Sequence, residues 1–199
     1  MITEILIKLF KKLNTCMPWT DENGNYTDEN GFWVGRNGGA SGILPICPKT
    51  KRLCLGFRSN MVYEGECWGV FGGAIQNGMN ARQSAAQELQ EETGYRGSLE
   101  LIPSYVFHYG KFSYQNFLGI VPHEFRFHPE MDAAWENYRI KWFTLNEFVE
   151  RISQNAAEFH FGVIALAANN IGQIEKVIKP LVLSSGSSPH EVEFFKNYK

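Results

Sequence analysis

The chain has 199 residues, of which 44% are hydrophobic, and a formal net charge of −2 at pH 7. This length and apolar content favour one well-packed domain with a small extension. A small net charge without a long block of one sign argues against tight nonspecific binding to nucleic acid or to anionic membranes. Partners are therefore expected to be recognised by a specific site.

The cysteines and the hydropathy pattern indicate a cytoplasmic protein. The four cysteines form no C-x-x-C pair and lack the histidine spacing of a zinc site, which favours reduced thiols. No stretch reaches the ~18 consecutive apolar residues of a membrane span. The N-terminus also lacks the apolar core and cleavage site of a secretory signal. We expect no membrane partner.

Segment 1–39 is predicted to be an extension ahead of the main domain. Its first residues place apolar side chains at helical spacing, at Ile2, Ile5, Leu6, Leu9, Phe10 and Leu13. This pattern predicts an amphipathic helix. A single short helix is a weak membrane anchor, so we expect it to pack on the domain or against a second copy in a homodimer. The pentapeptide TDENG then occurs twice, and its Asn-Gly pairs predict turns, because a calcium loop starting at Asp21 would need glycine at Tyr26.

The main domain, predicted to cover 40–180, opens with β-strands. Alternating and apolar runs predict strands at Ser41–Pro48, Arg52–Phe57 and Cys67–Phe71, the last leading into a Gly-Gly pair. Two residues beside these strands are candidates for substrate contact, Arg58 and Trp68. A loop charge and a core aromatic explain them equally well.

One helix is predicted directly after the glycines. Asn80 suits the N-cap, Gln83 suits the third helical position of a capping box, and Gly94 suits a left-handed stop. These signals predict a helix over Ala81–Thr93.

Three glutamates near the end of this helix form the strongest chemical signal in the chain. Glu88, Glu91 and Glu92 stand at i, i+3 and i+4, so their carboxylates share one face. Two carboxylates about 6 Å apart repel by about 3 kcal/mol at an effective dielectric of about 20. The nearest cation along the helix, Arg96, lies beyond the stop at Gly94. A divalent metal site is therefore better supported than a solvated face with salt bridges, since Mg²⁺ prefers carboxylate and phosphate oxygens.

The remaining elements complete a mixed structure. Leu99–Tyr109 and Phe112–Val121 are predicted to pair about a turn at Gly110-Lys111, and Ile140–Thr144 is predicted as a strand followed by a helix beginning at Asn146.

A final helix and a tail are predicted to end the chain. The helix covers Phe161–Val177, and His160 before it is either a substrate contact or an ordinary side chain near the cap. Residues 181–199 are predicted to form a tail that contains a flexible serine-rich break at Ser184–Ser188.

The segment 73–95 resembles the Nudix box, G-x5-E-x7-R-E-U-x-E-E-x-G-U, in which U is a bulky apolar residue. The matching positions are Gly73, Glu88, Leu89, Glu91, Glu92 and Gly94, with Tyr95 a loose match at the last one. The first Glu of the box falls on Met79 and its Arg on Gln87, and Phe71 replaces a common proline. The resemblance implies an α+β fold, an α/β/α sandwich in which a mixed β-sheet is flanked by helices. The predicted order of strand, turn, strand, Gly-Gly loop and helix agrees with it.

The resemblance also implies the roles of the site residues. In the family the metal glutamates are those of the REUxEE core, which implies metal-binding and catalytic roles for Glu88, Glu91 and Glu92. Glu91 and Glu92 are the expected principal ligands, and Glu88 is either a ligand or the base that orients water. The backbone carbonyl of Gly72 is a further candidate ligand. Glu136 is the candidate carboxylate from a downstream loop, for which an exposed loop residue is the alternative.

The implied activity is hydrolysis of a small nucleotide. The expected substrate is a nucleoside diphosphate linked to another moiety, the ion is Mg²⁺ with Mn²⁺ as an alternative, and Gly73 is expected to let the backbone approach the phosphates. Nucleic acid is a less favoured partner, with capped RNA ends left open. The changes at Met79 and Gln87 motivate an alternative, a catalytically weakened nucleotide-binding or regulatory module. Isomerase chemistry through Cys67 ranks below both, because its surroundings do not match the cysteine motif of isoprenyl diphosphate isomerases.

Overall fold

The computed structural model of the protein describes residues 26–27, 33–34, 39–62, 64–109 and 112–179. The predicted N-terminal helix, the turn at Gly110-Lys111 and the tail lie outside the described residues. The division into an extension, a main domain and a tail stays a prediction. Among the described helices, none is long and apolar enough to cross a membrane.

The described part of the chain contains nine strands, three α-helices and one short 3-10 helix. In chain order they are β1 (Tyr26–Thr27), β2 (Trp33–Val34), β3 (Ala40–Cys47), β4 (Arg52–Arg58), β5 (Trp68–Gly69), β6 (Phe71–Ala74), α1 (Ala81–Thr93), β7 (Glu100–Tyr109), β8 (Phe112–Ile120), β9 (Asn137–Thr144), α2 (Leu145–Gln154), the 3-10 helix (Ala156–Glu158) and α3 (Phe161–Ile178).

Strand β3 is the centre of a mixed sheet. It runs parallel to β8 and antiparallel to β6 and β4, while β7 pairs with β8, and β4 also pairs with β5 and β9. All eight residues of β3 are buried, as expected for a strand covered on both faces. β1 and β2 form a separate two-stranded sheet.

Helices cover both faces of this sheet. Because side chains alternate along a strand, Ile43 of β3 packs toward Ala85 and Leu89 of α1. Its neighbour Leu44 belongs instead to the core formed with Phe148 of α2 and Leu166 of α3. This arrangement confirms the predicted α+β sandwich.

Local signals for α1 are confirmed. The Asn80 side chain accepts a hydrogen bond from the Gln83 amide, the Gln83 side chain accepts one from the Asn80 amide, and Gly94 ends the helix with φ of 75°. The helix has the predicted bounds, Ala81–Thr93.

Other boundaries differ from the predictions. The helix after β9 begins at Leu145, so the predicted start at Asn146 is wrong. The Thr144 hydroxyl caps it by accepting a hydrogen bond from the Glu147 amide. The predicted strand Cys67–Phe71 is two strands, because β5 pairs with β4 whereas β6 pairs with β3.

His160 caps α3. Its Nδ1 atom accepts a hydrogen bond from the Gly162 amide, and its Nε2 atom lies 2.9 Å from the Glu64 carboxylate. Burial lowers the pKa of His160, and the hydrogen bond to Glu64 opposes that change. The reading of His160 as a residue near the cap agrees with these contacts.

Candidate metal and substrate site

The predicted glutamates lie at the interface between α1 and the sheet. Glu88 and Glu92 are buried, with 9% and 2% of their surfaces exposed, and they lie one turn apart on the side of α1 that packs on the sheet. Glu91 is half-buried and accepts a hydrogen bond from Gln87 Nε2 at 2.6 Å. The face predicted to carry three carboxylates therefore has two buried members and one at the rim.

Glu92 joins three segments that are distant in sequence. Its Oε1 atom accepts a hydrogen bond from the Gly72 amide at 2.6 Å, and its Oε2 atom accepts one from Asn137 Nδ2 at 2.6 Å. Burial raises the pKa of Glu92 well above its usual range, the charges of Glu136 and Glu88 raise it further, and these hydrogen bonds oppose the rise. The predicted role of the Gly72 carbonyl as a ligand stays a prediction, since the contact shown is made by its N–H.

Glu88 lies against the glycine loop. A Cβ atom at position 73 would lie only 2.6 Å from Glu88 Oε1, so Gly73 makes room for this carboxylate. Burial raises the pKa of Glu88 to about 8, with further contributions from the charges of Glu136 and Glu91. The carboxyl group therefore holds a proton at neutral pH in the absence of a cation.

Glu136 comes to the same place from a distant loop. Its carbonyl accepts a hydrogen bond from the Ser59 amide at 2.8 Å, and its charge raises the pKa of both Glu88 and Glu92. Burial raises its own pKa, and the Arg58 guanidinium opposes the rise. The structure thus brings Glu136 close to the α1 glutamates, and Arg58 close to Glu136. We call Glu88, Glu91, Glu92 and Glu136 the carboxylate cluster.

A β-bulge aims Asn137 at this cluster. Phe57 of β4 pairs with Arg139 of β9, but the next residue, Arg58, pairs with Asn137, so Tyr138 is skipped. An extra residue in one strand reverses the side on which the following side chains point. As a result Asn137 reaches Glu92, while Arg139 lies on the opposite face.

Trp68 is not brought to the carboxylate cluster. It is 5% exposed and packs edge-on against Phe57 and Phe143, with ring centroids 5.0 and 5.2 Å away. These rings belong to the core beneath α2 and α3. Its contact with substrate stays a prediction, and the packing fits the core alternative.

Two residues near the cluster were missed by the sequence reasoning. One is Asn137, and the other is Tyr114 on β8. A Cβ atom at Gly42 would lie 2.1 Å from the Tyr114 hydroxyl, and one at Gly72 would lie 2.7 Å from it. The absence of side chains at these two paired glycines therefore leaves the space that the Tyr114 hydroxyl occupies. Burial raises the pKa of Tyr114, Glu92 adds to the rise and Arg58 opposes it. No local pattern marks either residue, because both contacts depend on strand register.

At the two positions that depart from the Nudix box, the chain carries uncharged side chains. Gln87, in place of the arginine, donates to Glu91 and lies 3.4 Å from Gln76 Oε1. Met79, in place of the first glutamate, is half-buried against the core on the α1 side. The loss of one acidic and one basic residue therefore leaves neither as an unpaired charge.

The described cysteines offer no reactive site. Cys47, Cys54 and Cys67 are buried free thiols. Burial raises the pKa of Cys67 to about 11, and its Sγ donates to the Glu64 carbonyl. A thiol held in its protonated form is a poor nucleophile or base, which disfavours the isomerase alternative.

The carboxylate cluster offers the oxygen ligands that a hard divalent cation prefers. The neighbouring carboxylates raise the pKa values of Glu88, Glu92 and Glu136, and a cation would relieve this excess of negative charge. Within the described ranges, no three His, Cys, Asp or Glu side chains are already gathered closely enough to enclose an ion. The carboxylates Glu88, Glu91, Glu92 and Glu136 could hold Mg²⁺ after changes in their side-chain torsions.

Comparison with known proteins places the chain in a family. The family model described as NUDIX domain matches residues 36–165. This match covers more than half of the chain, so the protein belongs to the NUDIX domain family. No curated protein matches the sequence.

Solved structures share the fold. RenU, a Nudix hydrolase from M. smegmatis, is 18% identical with a TM-score of 0.55, over 83% of this chain and 98% of that one. A NUDIX family hydrolase from Clostridium perfringens is 12% identical with a TM-score of 0.53, over 71% and 98%. A NUDIX hydrolase from Nitrosomonas europaea is 15% identical with a TM-score of 0.52, over 68% and 89%. At such identities the likeness concerns the fold alone.

Proposed function

We propose that this NUDIX domain protein is a Mg²⁺-dependent hydrolase, with Mn²⁺ as the alternative ion. Its proposed substrate is a small nucleotide, a nucleoside diphosphate linked to another group, and the bond cleaved is the phosphoanhydride. One observation carries the proposal. Carboxylates from α1 and from the loop before β9 meet beside the Gly72-Gly73 backbone.

The proposed roles are those that the resemblance to the Nudix box implies. A bound divalent ion would supply charge neutralisation for the phosphates and a water of lowered pKa. Glu91 and Glu92 are assigned as principal ligands, with Glu136 as a further one. Glu88 is assigned as a ligand or as the base that accepts the water proton, and the backbone carbonyl of Gly72 as an additional ligand.

Two further residues would position the substrate. Gly73 is assigned to substrate binding, because a glycine lets a phosphate group approach the backbone beside the Glu88 carboxylate. The Arg58 guanidinium lowers the pKa of both Glu136 and Tyr114 against the rise caused by burial. It is therefore placed to bind a phosphate oxygen, and arginine suits that task because its fork of N–H donors matches the anion.

A second function is favoured by the contact at Glu91. Gln87 occupies one Glu91 oxygen with a neutral hydrogen bond, and Met79 supplies no carboxylate. These features suit a nucleotide-binding or regulatory module with weakened turnover. Retention of four mutually repelling carboxylates weighs against it, since a binding module would still have to offset their repulsion.

The test is phosphate release, after phosphatase coupling, from a panel of nucleoside diphosphate compounds with Mg²⁺ and with EDTA. Glu92→Gln should lower metal-dependent turnover at least ~100-fold, since a principal ligand is lost. Glu100→Gln is the matched control, because Glu100 is an exposed glutamate on β7. Turnover retained in Glu92→Gln would refute the assignment. Silence across the panel, with thermal stabilisation by the same compounds, would favour the binding module.

A further inference from the structure

A cavity lies on the face of the sheet opposite to α1. It has a volume of about 470 Å³ and lies between β4, β9 and the end of α2. Three cationic side chains line it, Arg139, Lys141 and Arg151, together with the aromatic rings of Phe57 and Trp68. We call it the basic cavity. Its volume falls in the range of small-molecule sites.

Arg139 is held by aromatic rings instead of a carboxylate. Its guanidinium carbon lies 4.1 Å from the centroid of the Phe57 ring and 5.5 Å from that of Trp68. Within the part of the chain that the structure describes, the Arg139 side chain makes no ion pair or hydrogen bond. Stacking uses the face of the guanidinium and leaves its N–H donors, which lie in the plane, available to a ligand.

The other two cations of the basic cavity have acidic neighbours. Lys141 Nζ lies 2.5 Å from the Glu147 carboxylate, and Arg151 pairs with Glu158. Both basic side chains are about one third exposed, at 38% and 33%, so these pairs are weak and can share their cations with a ligand. Glu158 and Glu66 also line the cavity, so its acidic and basic side chains nearly balance. Arg139 is the lining cation whose side chain has no acidic partner among the described residues.

We propose that the basic cavity binds the phosphate group of a small molecule, with Arg139 as the principal contact. Arg139 can offer two parallel N–H donors to a phosphate, and Lys141 and Arg151 add charge suited to a dianion. A chain with a net charge of −2 has no general field for anions, so binding depends on this local arrangement. The site is distinct from the carboxylate cluster, which lies on the α1 face.

The experiment is a chemical-shift titration of the ¹⁵N-labelled full chain with sodium phosphate, in EDTA and at constant ionic strength. We expect saturable shifts centred on Phe57 and on residues 139–141, and the same shifts in Glu92→Gln. Arg139→Gln should weaken phosphate binding at least tenfold. Arg126→Gln, an exposed arginine in the loop after β8, removes the same charge elsewhere and should change the affinity less than twofold.

Several results would overturn the proposal. They are the absence of saturable shifts, shifts centred on the carboxylate cluster, or equal loss of affinity in Arg139→Gln and Arg126→Gln. Equal affinity for succinate, a dicarboxylate of the same charge, would refute the assignment to phosphate. The titration contains no divalent metal and is also carried out on Glu92→Gln. A negative result would therefore count against the phosphate site without bearing on the proposed hydrolysis.

Discussion

The two faces of the β4–β9 ladder carry different sets of charged side chains. On the α1 face, Arg58 and Asn137 meet buried carboxylates whose pKa values are raised. On the α2 face, Phe57 and Arg139 contribute to a cavity lined by three cations. The difference arises at one bulge, where the register skips Tyr138. A single extra residue therefore lets one pair of strands place Asn137 beside the carboxylate cluster and Arg139 beside the cavity on the opposite face.

The largest expected effect concerns the backbone that supports the carboxylate face. Gly72 has φ of 156°, and a Cβ atom there would lie 2.3 Å from the Ser41 carbonyl oxygen. Gly72→Ala should destabilise the protein by about 3 kcal/mol, since backbone must move. Gly78→Ala is the control, because Gly78 has φ of 83° but no atom within 4 Å of the added Cβ. It should cost about 1 kcal/mol. Urea denaturation measures the free energy of unfolding of both variants. An equal decrease in Gly72→Ala and Gly78→Ala would show that the close contact between Gly72 and β3 is unimportant.

The next effect tests the charge of the carboxylate face through pH. The pKa of Glu88 is about 8 in the folded protein and has a usual value of 4.5. Between these values the unfolded chain releases its proton first, so metal-free stability should fall as pH rises from 5.5 to 8, by on the order of 2 kcal/mol. Glu88→Gln should remove this part of the pH dependence, whereas Glu100→Gln should keep it. Denaturation in EDTA at pH 5.5 and at pH 8 measures this change in the free energy of unfolding. The same pH dependence in wild type and Glu88→Gln would contradict the prediction.

The third prediction concerns the bulge itself. Asn137→Ala would leave Glu92 Oε2 buried without its amide donor, which should cost about 1 to 2 kcal/mol. Tyr138→Phe removes only the exposed hydrogen bonds with Asn60 and should cost less than about 0.5 kcal/mol. Thermal denaturation of both variants compares them. If Tyr138→Phe were the more destabilised variant, the hydrogen bond from Asn137 to Glu92 would not be the main stabilising contact that the bulge allows.

Local chemistry explains which parts could be predicted from sequence. The capping box of Asn80 and Gln83, the stop at Gly94 and the helical spacing of the glutamates act within one element, and α1 has its predicted bounds. The helix after β9 was misplaced by one residue because Thr144 and Asn146 are both good N-caps, and the choice depends on where β9 ends.

Contacts between distant segments were beyond the sequence patterns. The bonds from Asn137 and Gly72 to Glu92 depend on a bulge and on the packing of α1 against two strands. The basic cavity likewise requires the pairing of Phe57 with Arg139, which no spacing along the chain reveals. Trp68 fitted two interpretations, and its packing against Phe57 and Phe143 favours the core one.

Metal binding by the carboxylate cluster tests the central claim most directly. The measurement is the melting temperature with 10 mM MgCl₂ or MnCl₂ against EDTA at pH 8, for wild type, Glu92→Gln and Glu100→Gln. The account predicts a rise of about 3 °C in wild type, because an ion that binds only the folded state stabilises it. The rise should persist in Glu100→Gln and disappear in Glu92→Gln. No rise with either ion in wild type, or an equal rise in Glu92→Gln, would contradict the assignment of these carboxylates as a metal site.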